Sequence, residues 1–130
     1  MIPYDKRSGK IWYNGDLVDW SDVKVHVLSH GLHYASCVFE GERVYDGTIF
    51  KLEEHTSRLF HSAKRMGFEI PYSEDDINSA SNKIISTQKV ENGYVRPVVW
   101  RGSEMMAISA QHTKIHVCLL YTSDAADDRV

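Results

Sequence analysis

The richest mixture of small, aromatic and titratable residues is His30-Gly31-Leu32-His33-Tyr34-Ala35-Ser36-Cys37-Val38-Phe39-Glu40-Gly41-Glu42-Arg43. A glycine such as Gly41 inside a strand marks a bulge or a close backbone approach, useful beside a ligand but equally a matter of packing. His26, His30 and His33 have spacings at which a metal deserves a test, but Gly31 is expected to interrupt any helix that would align the first two. Turn or packing histidines are the favoured reading, with no metal site. Cys37 near a histidine has the ingredients of a nucleophile, yet no third orienting group is identifiable, so burial is favoured. Among the arginines, Arg43, Arg58, Arg96 and Arg101 would by default be surface cations. Arg96 lies between Val95 and Pro97 on a strand, sharing a face with Tyr94, Val98 and Trp100, where a buried guanidinium would need an anion or another hydrogen-bond partner. Arg58 stands mid-helix beside an apolar stripe, where its planar fork could clamp a phosphate. Spacing alone favours the solvated reading of Arg58.

These residues need elements to hold them. Asn14-Gly15 between Lys10–Tyr13 and Asp16–Trp20 predicts a hairpin, because Asn-Gly accepts the positive φ of a tight primed turn. Asp46-Gly47 predicts another between Glu42–Tyr45 and Thr48–Lys51. Leu52, Leu59, Ala63 and Met66 form a helical stripe, with Glu53 and Glu54 near its start, Lys64 and Arg65 near its end, and Gly67 as a stop. A second helix opens at Ser73, which caps Glu74-Asp75-Asp76, and runs through Ile77, Ala80, Ile84 and Ile85 towards Asn92-Gly93. Residues 94–100 read as a strand in which Pro97 implies an edge position or a bulge. Thr113–Val117 reads as another strand. The expected fold is α+β: a mainly antiparallel sheet with two helices packed on it.

The 130 residues suit one domain, with 42% hydrophobic and 25% charged residues. A formal net charge of −3 with dispersed Lys and Arg argues against a nucleic-acid partner. No apolar run reaches the ~20 residues of a membrane span and no signal-type core follows Met1, so a cytoplasmic location is expected, with Cys37 and Cys118 reduced. From Cys118 the sequence reads like a translated sequencing adapter. Residues 1–117 are therefore taken as the natural domain and residues 118–130 as an appended tail, the alternative being a native strand followed by a polar tail.

Three ordered blocks carry a resemblance. His26 to Tyr34 followed by Val38-Phe39-Glu40-Gly41-Glu42-Arg43, then Glu54-His55 with Arg58-Leu59 and Ser62-Ala63-Lys64, then Gly93-Tyr94-Val95-Arg96-Pro97 are similar to the fold-type IV aminotransferases that use pyridoxal 5'-phosphate, in particular the branched-chain amino acid aminotransferases. The resemblance spans nearly all of residues 10–117 and implies their small amino-terminal domain. It implies that Arg58 binds the cofactor phosphate. It also implies that Tyr34, Phe39, Gly41, Arg43, Tyr94 and Arg96 line a pocket for leucine, isoleucine or valine and for glutamate and 2-oxoglutarate, with Arg43 and Arg96 receiving the distal carboxylate. Family members are dimers or higher homo-oligomers, in which Tyr34 and the loop with Met105, Met106, Ala107 and Ile108 reach towards the partner's site. No catalytic residue is expected here: the Schiff-base lysine belongs to a larger domain absent from this chain, so the chain reads as an inactive part of its enzyme. The block from Trp100 to Met106 departs from the glycine-rich loop of some branched-chain enzymes, which leaves substrate range open. A D-amino acid aminotransferase, an aminodeoxychorismate lyase and a non-catalytic binding domain are the alternative readings.

Overall fold

The computed structural model describes residues 2–123. Among them, seven strands form one antiparallel sheet: β1 (Lys10–Tyr13), β2 (Asp16–Asp19), β3 (Cys37–Phe39), β4 (Glu42–Tyr45), β5 (Thr48–Ile49), β6 (Gly93–Arg101) and β7 (Ile115–Ser123). Three α-helices join it: α1 (His30–Tyr34), α2 (Leu52–Arg65) and α3 (Glu74–Thr87). The sheet runs β2-β1-β7-β6-β4-β5, with β3 also paired to β6. None of the helices is long and apolar enough to cross a membrane.

Local chemistry accounts for most boundaries. Asn14 and Gly15 turn with φ of 49° and 100°, and Asp46 and Gly47 with 50° and 76°, as the primed hairpin turns demand. Ser73 Oγ accepts from the Asp76 amide while the Asp76 carboxylate accepts from the Ser73 amide, a reciprocal cap that starts α3. The second hairpin returns for only two residues, since Lys51 adopts a left-handed backbone with φ of 58° and α2 begins directly after it.

The helices cover one face of the sheet. Leu59, Ile77 and Ile84 meet Val44, Val95, Val99, Val117 and Leu119 there, all with 0% exposure. On the opposite face Ile11, Trp20, Trp100 and Cys118 make a smaller cluster, and that face also carries Tyr94 and Arg96.

Three expectations change. Pro97 lies on neither an edge nor a bulge: β6 is central, paired with β7 along its whole length. On its other side β3 and β4 follow each other in unbroken register but interrupt at Glu40-Gly41, opposite Pro97. The Glu40 amide donates to the Pro97 carbonyl at 3.1 Å, so the missing proline donor falls where the neighbouring strand is already broken. No helix aligns His26 with His30, since α1 starts only at His30, but Gly31 is not the cause: it sits inside α1, where an added Cβ would approach the Ser36 carbonyl and Trp100 Cβ at 3.2 Å. Its small size lets α1 settle onto β6. The last strand extends beyond Thr113–Val117 to Ser123, burying Cys118 and Leu119, so residues 118–123 of the expected tail take part in the sheet. Residues 124–130, the remainder of that tail, lie outside the described residues.

Candidate functional site

Strand alternation sorts the candidate residues before any ligand is considered. Phe39 lies opposite Val98 and Arg43 opposite Tyr94, and the same register carried across the break sets Gly41 against Arg96, so these side positions share the face away from α2 and α3. The intervening Glu40 points the other way, towards α2. The rim segment Phe39-Glu40-Gly41 therefore borders two groups of side chains.

On the first face, Tyr94 Oη accepts from Arg96 Nε at 3.1 Å and Nη2 at 2.9 Å. The Arg96 guanidinium lies over the Phe39 ring at 4.6 Å from its centroid, a cation–π arrangement that leaves an edge of the fork outward. Phe39 is 56% exposed. Gly41 makes the cluster possible, because a Cβ there would lie 2.5 Å from Tyr94 Oη and 3.0 Å from its Cε2. The close-approach reading of Gly41 thus has a named neighbour. Arg43 stands next to Tyr94 in register and places its guanidinium 5.3 Å from the Tyr45 ring centroid. Tyr34 is half exposed on α1 and rests on the His30 ring, centroids 4.7 Å apart; these contacts place it beside the histidines rather than in the Arg96 cluster.

On the helical face, Glu40 is the centre. Its Oε2 accepts from Arg58 Nε at 2.8 Å, and its Oε1 accepts from Arg58 Nη2 at 2.8 Å and from His55 Nδ1 at 2.7 Å. Burial alone would raise the Glu40 carboxyl, but these hydrogen bonds and the Arg58 charge outweigh it and hold the group below the usual carboxylate range. Arg58 is in turn held more firmly protonated. Two residues on, Glu42 is fully buried and neither carboxyl oxygen has a hydrogen-bond partner. Burial, reinforced by the negative charge of Glu40, pushes it up to about 8.

Other candidates have structural partners. The Ile108 carbonyl can only accept, so His30 Nε2 donates to it at 3.0 Å, while Nδ1 lies 2.6 Å from Ser36 Oγ. His30 thereby ties the loop after β6 to α1. Arg101 donates to the carbonyls of Gly67 and Ala110. Cys37, expected to be buried, is exposed instead, because alternation along β3 gives the helical face to Val38. Cys118 is buried and its thiol is pushed up to about 12, by burial first and Cys37 second, which leaves it unreactive as a nucleophile. Sequence reasoning assigned no role to Glu40 or His55. The available signal was the three-residue spacing of His55 and Arg58, which puts both on one side of α2, facing a strand that carries a carboxylate.

A protein from Pseudomonas aeruginosa, the branched-chain-amino-acid aminotransferase, is 50% identical over 117 residues, covering 87% of this chain and 38% of its own length. The solved branched-chain amino acid aminotransferase from Escherichia coli superposes with a TM-score of 0.86 at 34% identity, covering 90% of this chain and 41% of that one. A branched-chain aminotransferase from the thermophilic archaeon Thermoproteus uzoniensis, solved with norvaline, gives 0.84 at 31% identity, covering 90% and 41%. The chain thus spans about two fifths of the length of the relatives it matches. The amino-transferase class IV family matches residues 37–129, well over half of the sequence, and the chain belongs to that family.

Proposed function

We propose that in the whole protein this domain supplies the phosphate anchor and one wall of the substrate slot of a pyridoxal-phosphate enzyme. That enzyme moves an amino group between leucine, isoleucine or valine and 2-oxoglutarate. The cofactor fits the residues present: Arg58 offers a fixed, exposed guanidinium edge, the preferred partner of a phosphoryl group. When bound, pyridoxal 5'-phosphate supplies the electron sink and carries the amino group between the two half-reactions. The chain's own share is to bind and orient. Arg58 would hold the phosphate, while Phe39, Gly41, Tyr94 and Arg96, with Arg43 beside them, would receive the substrate side chain.

One observation carries this reading. Such an enzyme must accept an apolar side chain and a carboxylate-bearing one in the same slot. A bare guanidinium would reject the first, because covering it with leucine would strand its donors. Arg96 eases the conflict: Tyr94 Oη takes two of its five N–H groups and the Phe39 ring covers one face. An aliphatic side chain can then lie against the aromatic wall, and a distal carboxylate can take the free edge of the fork.

In the whole enzyme, Arg96→Gln should lower kcat/KM for glutamate about tenfold more than for leucine, the scale of one charge-assisted hydrogen bond. Equal losses for both would assign Arg96 to structure or to the α-carboxylate that the substrates share. A second copy belongs to this reading. Val27, Leu32, Met106 and Ile108 are 66% exposed or more, an apolar surface suited to burial against a partner that α1 and the loop after β6 would reach. The expected cytoplasmic location belongs to the same proposal.

A further inference from the structure

We infer that Glu40 is a positioning residue for the cofactor phosphate: it clamps the Arg58 guanidinium from behind, with His55 as second donor, and so fixes which edge of the arginine faces the anion. The inference rests on Arg58 being the phosphate anchor.

Arg58 has a side chain 66% exposed, whereas the Glu40 side chain is 4% exposed. An exposed arginine normally samples many rotamers and must lose that freedom when it binds an anion. A simple surface ion pair would place both partners in water, where each remains mobile. Here the carboxylate is buried and the cation is outside. The base of the carboxylate is fixed as well, because the Glu40 amide bonds Pro97 across the sheet. His55, one helical turn before Arg58, takes Oε1 at 2.7 Å and stops the carboxylate from rotating.

The donor count then selects the edge. Guanidinium has five N–H groups. Glu40 takes the Nε hydrogen and one Nη2 hydrogen, leaving the end of the fork, Nη1 with the second Nη2 hydrogen. That end presents two parallel donors to two oxygens of one phosphate. Charge alone argues the reverse, since a carboxylate behind Arg58 partly cancels its positive charge and repels a phosphate. At an exposed guanidinium water and salt weaken that repulsion, so orientation wins, and the sign of the effect becomes the test.

The measurement uses the whole enzyme stripped of cofactor and two non-covalent probes, pyridoxamine 5'-phosphate and phosphate-free pyridoxamine. Glu40→Gln should raise the Kd for the phosphorylated probe about three- to tenfold, the scale of immobilising one long side chain, and leave pyridoxamine unchanged. Glu40→Asp keeps the buried negative charge but withdraws the carboxylate from Arg58 by one carbon, so it should show the same selective loss although the charge is unchanged. In an Arg58→Ala background Glu40→Gln should add nothing. Equal weakening of both probes would make Glu40 merely structural, and tighter binding of pyridoxamine 5'-phosphate by Glu40→Gln would show that charge competition dominates; either overturns the inference while leaving Arg58 in place. Unchanged affinity in Arg58→Ala alone would instead remove the anchor itself, and with it both readings.

Discussion

Replacing Glu42 by leucine should stabilise this chain, and by an amount that grows with pH. Glu42 has 0% exposure, two carboxyl oxygens without a partner, and a protonation midpoint moved from 4.5 to about 8 by burial and by Glu40. In the unfolded chain the group ionises above its ordinary value; in the folded chain it keeps its proton. The native state therefore binds more protons between those limits, and stability falls as pH rises through them. The contribution is intact below about pH 4.5 and largely gone above about pH 8. Between pH 5 and pH 8 the loss is about 3 kcal/mol, at about 1.4 kcal/mol per tenfold change. Glu42→Leu has a similar volume and cannot ionise, so its stability should lack that slope. It should also gain about 1–3 kcal/mol at pH 5, where even the neutral carboxyl is buried without a partner. The assay is urea unfolding of both chains by circular dichroism at pH 5, 6, 7 and 8 in constant salt. The difference between them cancels every carboxylate and histidine they share. Parallel stability curves would refute the reasoning, because they would mean that Glu42 is solvated or partnered in the native state.

Three further outcomes are expected. Gly41→Ala in the whole enzyme should lower kcat/KM for leucine and glutamate alike, about tenfold or more, since its Cβ would displace Tyr94 and release Arg96; unchanged kinetics would separate Tyr94 from the slot. At pH 8, iodoacetamide followed by mass spectrometry should modify the exposed Cys37 well before the buried Cys118 in the native chain, and both at similar rates in urea; early labelling of Cys118 would show that β7 opens readily. This 130-residue chain, mixed with pyridoxal 5'-phosphate, leucine and 2-oxoglutarate, should neither turn over nor bind cofactor stoichiometrically through one lysine. Turnover would mean that the chemistry resides in residues other than those the family resemblance implies.

Much of the fold was legible because its cues act within a few residues. Asn14-Gly15, Asp46-Gly47, the Ser73 cap and the stripe through Leu59 and Ala63 each produced the expected turn or helix, although the strand after Asp46-Gly47 spans Thr48–Ile49 rather than Thr48–Lys51. Pro97 and Gly31 were misread for a shared reason. The usual penalty for proline in a strand presumes an intact neighbour, and the penalty for glycine in a helix presumes a helix standing alone. In the folded chain β6 has a broken neighbour opposite Pro97, and α1 rests so closely on β6 that a Cβ at position 31 would lie only 3.2 Å from Trp100 Cβ and the Ser36 carbonyl. Both compensations come from residues distant in sequence, and no local pattern encodes them. Arg58 is a subtler case. Spacing left two alternatives, a solvated cation or a phosphate clamp, and gave no sign of the buried Glu40 that holds Arg58 while leaving it exposed.

That same break in the strand explains why the candidate residues fall where they do. A continuous strand through Phe39, Glu40 and Gly41 would hydrogen-bond β6 at every opportunity, and Pro97 would leave one acceptor unmatched inside a regular ladder. Breaking the strand there, at the sheet's rim, relieves the mismatch without a register shift, so alternation is preserved across the gap. Phe39 and Gly41 consequently stay on the face with Tyr94 and Arg96, and Glu40 stays on the face with His55 and Arg58. A bulge of one residue would have turned either Gly41 or Glu40 to the wrong side, separating Tyr94 from its clearance or Arg58 from its clamp. Pro97 therefore marks the place where the Glu40–Arg58 pair and the Phe39–Tyr94–Arg96 cluster are held one residue apart, on opposite faces of the same backbone.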